Sequence, residues 1–350
     1  MKRKLIFLTT ALIFIISLTS CMLGNSSKPD NSDQPSTPEI PSEPSTPTNP
    51  DKPSTPAKPD KLNGYFFDGT SATSGDGTIE NPYNNLSYIK TLDLNLKHNI
   101  YLKRGSKFRG SIELSNASGT EKDKILITSY GDGELPIIDG NDKVGDAVVS
   151  LKNCNNITIS NLEIFDSSTT EADRRGVLIL GNNPNNNSKI ITYSNITLDG
   201  LYIHDINGIT DKENSGMSAE SKKTGGIHFG SLDGKAKFNN LIIKNCKIKN
   251  VSNVGIASWY KFGSTSNKVS PYSDKFKDTA YTNILIENND ISYIGKNAIF
   301  VRNLLGGYVK NNVVYETAIK CISGNSIVTS YVDGTCLLYT SPSPRDTERS

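Results

Sequence analysis

One short phrase recurs along the chain and constrains the fold more than any other feature. Each copy has an Asn, then alternating apolar residues, an Asn or Gly at a bend, and a β-branched residue. Copies begin at Asn156, Asn195, Asn240 and Asn283, and a degenerate copy begins at Tyr308. The alternation indicates short strands, and self-similarity indicates stacked repeats. Because one unit cannot bury its own apolar face, stacked units must share a core, which predicts a solenoid of parallel strands.

The repeat also predicts which side chains stack. We expect Ile157, Ile196, Leu241 and Ile284 to form one inward column. Asn and Gly tolerate the left-handed backbone of a sharp bend, and Asn amides can bond the next coil. That role is predicted for Asn161, Gly200, Asn245, Asn288 and Asn311. Two outward columns follow from the same alternation: Ser160, Asp199, Lys244, Glu287 and Lys310, and then Glu163, Tyr202, Lys247 and Asp290.

Residues 63–334 resemble the right-handed parallel β-helix superfamily, the pectate-lyase-like fold. The opening motifs carry the resemblance: Asp68-Gly69-Thr70, Tyr101-Leu102-Lys103-Arg104-Gly105 and Pro136-Ile137-Ile138-Asp139-Gly140. The resemblance implies an all-β solenoid, with residues 86–94 as a short helix capping its first coil. These motifs are specific for the fold and not for an activity.

The N-terminus is typical of a secretory leader. Lys2-Arg3-Lys4 precedes an apolar run that ends in Leu18-Thr19-Ser20-Cys21. This arrangement predicts a signal peptide over 1–20. The tetrapeptide resembles the bacterial lipobox, which implies lipidation of Cys21, a membrane anchor and an extracytoplasmic place in the bacterial cell envelope. Residues 21–62, rich in Pro, Ser and Thr, are expected to form an extended linker.

The C-terminal residues break the repeat. The string from Cys336 to Asp346 resembles a translated sequencing adapter. We therefore expect residues 335–350 to be non-native and to stay outside the solenoid, and the solenoid to be truncated at its C-terminus.

Composition narrows the partners. The formal net charge is +2, and three of the positive residues lie in the leader, which disfavours a nucleic-acid partner. Cys154, Cys246 and Cys321 show neither metal spacing nor a disulfide framework, so we expect small buried thiols. The length of the body suits a single solenoid domain, which we expect to be a monomer.

Aligning the second recurrent phrase predicts a site. Leu178, His228, Ala257 and Phe300 should stack, as should Leu180, Gly230, Trp259 and Arg302. His228, Trp259 and Arg302 should then lie on one outer face, within reach of a single sugar chain, with Tyr260 and Lys261 at the loop root. An aromatic platform beside cations is what an anionic sugar needs, so a polysaccharide is the expected partner.

The β-helix resemblance implies a polysaccharide lyase acting on acidic glycan. In such lyases a Lys or Arg removes the proton alpha to a uronate carboxylate, and Ca²⁺ often neutralises that carboxylate. The catalytic candidates are His228, Lys261 and Arg302, with Trp259 and Tyr260 binding substrate. Asp139, Asp142 and Asp146 have a spacing that suits Ca²⁺, and a simple polar turn is the alternative.

His204-Asp205 is a second candidate for substrate binding, because an Asp beside a His resembles an acid/base pair. Adjacent strand residues point to opposite faces, which argues against the pair acting together. Arg174 and Arg175 are interpreted as solvated charge, and the alternative is that they line the same cleft as His228 and Arg302. Two further functions stay open: a glycoside hydrolase of the same fold, or a noncatalytic carbohydrate-binding or adhesive solenoid. The sequence has no closely spaced Asp constellation, which places hydrolase below lyase.

Overall fold

The chain folds as a right-handed parallel β-helix with three faces. The computed structural model describes residues 62–94, 99–210, 223–260, 274–321 and 324–338, apart from the side chains of Trp259, Tyr260, Lys275, Tyr331 and Leu338. The described residues belong to one compact unit, Pro59–Ser350. In this part of the chain no helix is long and apolar enough to cross a membrane.

Face A carries the first strand of each coil, and its strands pair in parallel with the coils above and below. Its members are β1 (Tyr65–Phe67), β2 (Ile100–Lys103), β5 (Ile125–Tyr130), β8 (Ile157–Ser160), β11 (Ile191–Asp199), β14 (Ala236–Lys244), β17 (Tyr281–Glu287), the second half of β19 (Ile299–Lys310), and β22 (Cys336–Leu338).

Face B follows face A after a sharp bend in each coil, and its strands form a separate parallel sheet. Its members are β3 (Lys107–Arg109), β6 (Ile137–Asp139), β9 (Glu163–Asp166), β12 (Tyr202–Ile206), β15 (Lys247–Val251), β18 (Asp290–Ile294) and β20 (Val313–Thr317).

Face C completes each coil, and the insertions return the chain from it to face A. Its members are β4 (Ile112–Ser115), β7 (Val149–Lys152), β10 (Arg175–Gly181), β13 (Gly225–Ser231), β16 (Val254–Tyr260), the first half of β19, and β21 (Ile327–Asp333). Three of its strands, β10, β13 and β16, have a glycine at or next to their first residue, where coils approach closely. A Cβ on Gly226 would lie 2.4 Å from the carbonyl oxygen of Gly255, so a side chain does not fit there.

The predicted inward column is confirmed. Ile196 pairs with Ile157 and with Leu241, and the register places Ile284 on the next coil. None of the four side chains is more than 1% exposed. Full burial of such a side chain contributes about 1.5–3 kcal/mol, so this repeated column supplies much of the stability.

Both predicted outward columns are also confirmed by the strand registers. On face A the Lys244 ammonium lies 3.3 Å from the Asp199 carboxylate, and Lys310 lies 3.0 Å from Glu287. Exposed pairs of this kind contribute about 0–1 kcal/mol, so they favour the register without carrying the fold.

The bend residues have the predicted backbone, and one of their amides forms the predicted bond to a neighbouring coil: Asn245 donates to Asp199 at 2.7 Å. Asn161, Asn245, Asn288 and Asn311 and Gly200 all have positive φ. The four asparagines are exposed, however, so their amides do not form a buried ladder. The ladder lies instead on the Asn that opens each phrase and on two buried amides. Asn195 donates to Asn156, and Asn240 donates to Asn195, each at 2.8 Å; Asn289 donates to Asn312 at 2.8 Å.

The two helices among the described residues are short. A 3-10 helix spans Leu86–Thr91, where residues 86–94 were predicted to be helical, and Asn85 caps it by accepting from the Ser87 amide at 2.8 Å. Helix α1 spans Asp274–Thr279. Leu86 and Ile89 are buried against the first coils.

The expectation that residues from Cys336 onwards stay outside the solenoid is wrong for Cys336–Leu338. This segment pairs in parallel with Tyr308–Lys310 of β19. The physical reason is the unpaired backbone along that edge, which any short apolar extended segment can satisfy. The rest of the predicted tail, the predicted leader, Cys21 and the predicted linker up to residue 61 lie outside the described residues.

The three internal cysteines are buried, as predicted. Burial raises the pKa of the Cys154 thiol to about 11 and that of Cys246 to about 12. Both thiols are therefore protonated at neutral pH and act as small apolar side chains.

Candidate functional site

A bulge in β12 sets up the most chemically organised cluster on face B. Asp205 has φ +51, a left-handed conformation that Asp tolerates better than most residues. The register of β12 against β9 shifts between His204 and Ile206 at this point. The alternation of side chains is interrupted, so His204 and Asp205 lie on the same side of the sheet.

The sequence argument against the His204-Asp205 pair is therefore wrong. His204 Nδ1 lies 2.7 Å from Asp205 Oδ2, a hydrogen bond that a regular strand would not allow. On the other side of the ring, His204 Nε2 lies 3.1 Å from Glu163 Oε1, on the preceding coil. An imidazole thus bridges two carboxylates from adjacent coils. Its side chain is 15% exposed, against 42% for Asp205 and 22% for Glu163.

Aromatic rings flank this imidazole. The His204 ring stacks on Tyr202 at 4.4 Å between centroids and on Phe165 at 5.5 Å. Lys247 Nζ lies 5.3 Å from the Tyr202 ring centroid, and Lys107 Nζ lies 5.1 Å from that of Phe165. These ring faces next to carboxylates and ammonium groups are suited to the apolar C–H faces and the hydroxyls of a sugar.

A polar cavity adjoins the cluster at the corner between faces B and C, and we name it the corner pocket. Its volume is about 240 Å³. Its lining comes from the ends of β9, β12 and β15 and from the segment after β20. The polar side chains that line it include Ser167, Ser168, Asp205, Asn207, Asn250 and Lys320.

Buried charge supports the wall of the corner pocket. Arg174, which is 1% exposed, donates to the carbonyl oxygens of Thr170 at 2.7 Å and Asn207 at 3.0 Å, and it forms an ion pair with Asp142. Asp166 lies beneath it, fully buried, and burial raises the pKa of its carboxyl. The interpretation of Arg174 as solvated charge is wrong, because its guanidinium holds loop carbonyls together.

Arg175 is likewise buried, at 5% exposure. It donates to the backbone carbonyl oxygens of Lys223 and, at 3.2 Å, Asp146, and it pairs with Asp173 at 2.6 Å. A plain sequence gives little signal for such roles, since the partners are mainly backbone carbonyls from distant segments.

The site predicted on face C has the right register but the wrong environment. His228 pairs with Leu178 and Ala257, and Ala257 pairs with Phe300, as predicted. His228 is 0% exposed, however, and Ala257 and Phe300 are 1% and 8% exposed. These side chains point away from the core but are covered by other parts of the chain. The prediction that His228 lies within reach of a sugar chain is therefore wrong.

The second part of that site is only partly described. Gly230 pairs with Leu180 and with Trp259. After Ala257, the Ser258 hydroxyl bonds the backbone of Arg302 on the next strand. It accepts from the Arg302 amide at 2.6 Å and donates to the Arg302 carbonyl oxygen at 3.0 Å. Arg302 lies with its guanidinium 6.0 Å from the Phe300 ring centroid. The side chains of Trp259 and Tyr260, and the whole of Lys261, lie outside the described residues.

The predicted calcium ligands are not assembled as a metal site. The described residues contain no group of three or more His, Cys, Asp or Glu side chains placed to hold a metal. Asp139 accepts from the Asn141 amide and lies 3.3 Å from Lys107, while Asp142 pairs with Arg174. Asp146 contributes its backbone carbonyl to Arg175. Because Asp139 and Asp142 already face cations, the polar-turn alternative describes this loop better.

Known proteins share the fold and a stretch of sequence. No family model matches the sequence. An alignment of 321 residues, covering 69% of this chain, is 26% identical to lacto-N-biosidase of Bifidobacterium longum subsp. longum and covers 19% of that protein. The chain therefore spans about a fifth of the length of this curated relative.

Crystal structures of GH136 lacto-N-biosidase from Eubacterium ramulus have a similar fold. The native protein superposes with a TM-score of 0.57 and the selenomethionine derivative with 0.58, each at 20% identity. Each comparison covers 79% of this chain and 55% of the other. This likeness concerns the β-helix fold.

Proposed function

We propose that this chain is a glycan-active β-helix of the glycoside hydrolase class, with a lacto-N-biosidase type of activity, and that the glycan lies along face B. One observation carries the proposal: the imidazole of His204 bridges the carboxylates of Glu163 and Asp205 beside stacked aromatic rings. The sequence likeness to a lacto-N-biosidase supports the same class of reaction.

The number of hydrogen bonds that an imidazole can donate limits what this cluster can do. A neutral imidazole donates from one nitrogen only, whereas both ring nitrogens here face carboxylate oxygens. The imidazole therefore lies between two carboxylate acceptors, one from each of two adjacent coils. Glycoside hydrolysis needs one carboxyl group that protonates the leaving oxygen and a second that activates water or attacks the sugar.

The two carboxyl groups share the two roles. One of Asp205 and Glu163 protonates the glycosidic oxygen, and the other acts as the second carboxylate. His204 is a positioning residue that orients both groups. Tyr202 supplies a ring face against which the sugar packs.

The lyase hypothesis has less support from the described residues. It relied on His228, which is fully buried, and on calcium ligands that already face cations. Lys261, its candidate base, lies outside the described residues.

A noncatalytic glycan-binding solenoid is the second candidate, and the exposed aromatic rings further along face B favour it. Tyr293 and Tyr315 are 44% and 40% exposed and lie edge to face, 6.3 Å between centroids. An open strip of this kind binds sugars without any catalytic group.

The test uses the full chain with p-nitrophenyl lacto-N-bioside, and with neutral and acidic polysaccharides assayed for unsaturated uronate products. We expect hydrolysis, and we expect Asp205→Asn and Glu163→Gln each to lower the rate by about 10²–10⁴-fold. Asp199→Asn is the matched control, because Asp199 is a partly exposed carboxylate on face A that pairs with Lys244.

The outcomes separate the candidates. Parent-like hydrolysis in both face B variants would reject the cluster as the catalytic site. Glycan binding without hydrolysis would favour the noncatalytic solenoid. Unsaturated products would restore the lyase hypothesis.

A further inference from the structure

We propose that the corner pocket is a subsite for one neutral sugar residue, recognised through its hydroxyl groups by Asp205 and Asn250. The inference deepens the proposed function and rests on it only for the class of ligand. It adds a second contact region to the ring face of Tyr202 and the imidazole of His204.

The back of the corner pocket is rigid because its polar groups are already bonded to one another. Asn207 donates to the Ser168 carbonyl at 2.7 Å. The Ser252 hydroxyl lies 3.0 Å from the Ile206 carbonyl and 3.1 Å from Asn207 Oδ1. Arg174 fixes the Asn207 carbonyl from below. A preorganised wall of this kind lowers the ordering cost of binding.

The front of the corner pocket presents groups that can bind a ligand. Asn250 Nδ2 donates to Asp205 Oδ1, so the carboxylate and the amide form a fixed polar pair. Asn250 Oδ1 and the Ser167 hydroxyl form no hydrogen bond with any of the described residues. An acceptor from Asn and further acceptor sites on Asp suit two neighbouring hydroxyls of a sugar ring.

Charge favours a neutral sugar over a uronate. The cation at the rim, Lys320, already lies 3.5 Å from the Glu171 carboxylate. Asp205 presents a carboxylate to the cavity and would repel a second one. The acidic-glycan preference expected from the sequence therefore does not extend to this pocket.

Size limits the ligand to a single ring. The cavity of about 240 Å³ corresponds to roughly eight water molecules at about 30 Å³ each. It is smaller than the pockets of about 300–1,000 Å³ that enclose drug-sized ligands. A longer glycan would place one residue here and continue along face B past His204, whose Nδ1 lies 2.7 Å from Asp205, towards Tyr202, whose ring centroid lies 4.4 Å from that of His204.

The experiment is an NMR titration of the full chain with galactose, glucose, N-acetylglucosamine and glucuronate. The test variant is Asn250→Gly, because Asn250 has φ +53 and glycine keeps that backbone without strain. The matched control is Asn161→Gly, which removes an exposed Asn with φ +54 from another corner of the solenoid. Thermal unfolding of both variants checks that the fold is retained.

We expect the parent to bind at least one neutral sugar and to bind glucuronate more weakly. Asn250→Gly should lower the affinity for the neutral sugar by about fivefold, which is the loss expected from one hydrogen bond of typical strength. Asn161→Gly should leave this affinity unchanged. Unchanged affinity in Asn250→Gly, preference for glucuronate, or no binding of any neutral sugar would each overturn the inference.

A second pair of variants tests the path from the pocket to the rings. Tyr202→Leu should lower the affinity for a neutral disaccharide more than for a monosaccharide, because the second sugar lies over the ring. Tyr308→Leu is the control, since both tyrosines have a lysine ammonium near the ring, at 5.3 and 5.5 Å, and Tyr308 lies on face A. Equal losses in both variants would overturn the proposed path.

Binding and turnover fail separately in this design. Sugar binding that depends on Asn250, in a chain that hydrolyses nothing, would reject the proposed hydrolase and retain the subsite. Hydrolysis that depends on Asp205, with parent-like sugar affinity in Asn250→Gly, would reject the subsite and retain the hydrolase.

Discussion

Faces B and C are built from the same parallel ladder, yet their outward side chains have opposite surroundings. On face B, the outward positions carry Glu163, Tyr202 and His204 in a partly open cluster. On face C, the equivalent outward column of His228, Ala257 and Phe300 is buried. Strand register decides which residues stack, and it does not decide whether the stack is open to a ligand.

The largest expected effect comes from comparing two separate substitutions to Glu, one on face C and one on face B of the same coil. Ala257→Glu on face C should lower the free energy of unfolding by roughly 3–5 kcal/mol, because the carboxylate would be buried without a partner. Lys249→Glu on face B should cost less than about 1 kcal/mol, since Lys249 is exposed. Denaturant unfolding measures both. Similar losses would mean that the outward column of face C is open.

A medium effect tests the bulge that makes face B different. Asp205→Asn and Asp205→Ala both remove the carboxylate, but only alanine is strained at φ +51. Asp205→Ala should therefore be less stable than Asp205→Asn by about 1–2 kcal/mol. Thermal unfolding measures the difference. If the two variants were equally stable, β12 would be regular and His204 and Asp205 would lie on opposite faces.

The smallest expected effect concerns a carboxylate of face C. A hydrogen bond from Lys143, helped by Ser111, lowers the pKa of Glu113 from its usual 4.5 to about 2. A lowered pKa in the folded state gives stability that is present above the unfolded pKa and is lost as the pH falls through the folded one. Acidification from about pH 5 to about pH 2 should therefore lower the free energy of unfolding of the parent by up to about 1 kcal/mol more than that of Glu113→Gln. The difference is modest because the Glu113–Lys143 pair is partly exposed.

Thermal unfolding across this pH range provides the measurement. Identical pH profiles for the parent and Glu113→Gln would show that the Lys143 contact does not stabilise the fold.

The sequence predicted the repeat architecture well because its signal is local and repeated. The spacing of Ile157, Ile196 and Leu241 set the core column, and the bend residues such as Asn161 set the corners. The site was predicted less well for two physical reasons. A bulge at Asp205 depends on one backbone angle that alternation cannot reveal, and the burial of His228 depends on what packs over face C.

Strand β19 has a consequence for how the solenoid opens. It runs unbroken over Ile299–Lys310, pairing with β16 and β21 at its start and with β17 and β22 at its end. In the other coils, faces C and A are formed by separate strands, so one face can open while the other stays paired. Here one continuous strand belongs to both faces, although it bends at Asn303, Gly306 and Gly307, which have positive φ. We therefore expect its amide protons to exchange with solvent together, as one cooperative unit. The C-terminal coils therefore unfold as a block, whereas the N-terminal coils can lose structure one face at a time.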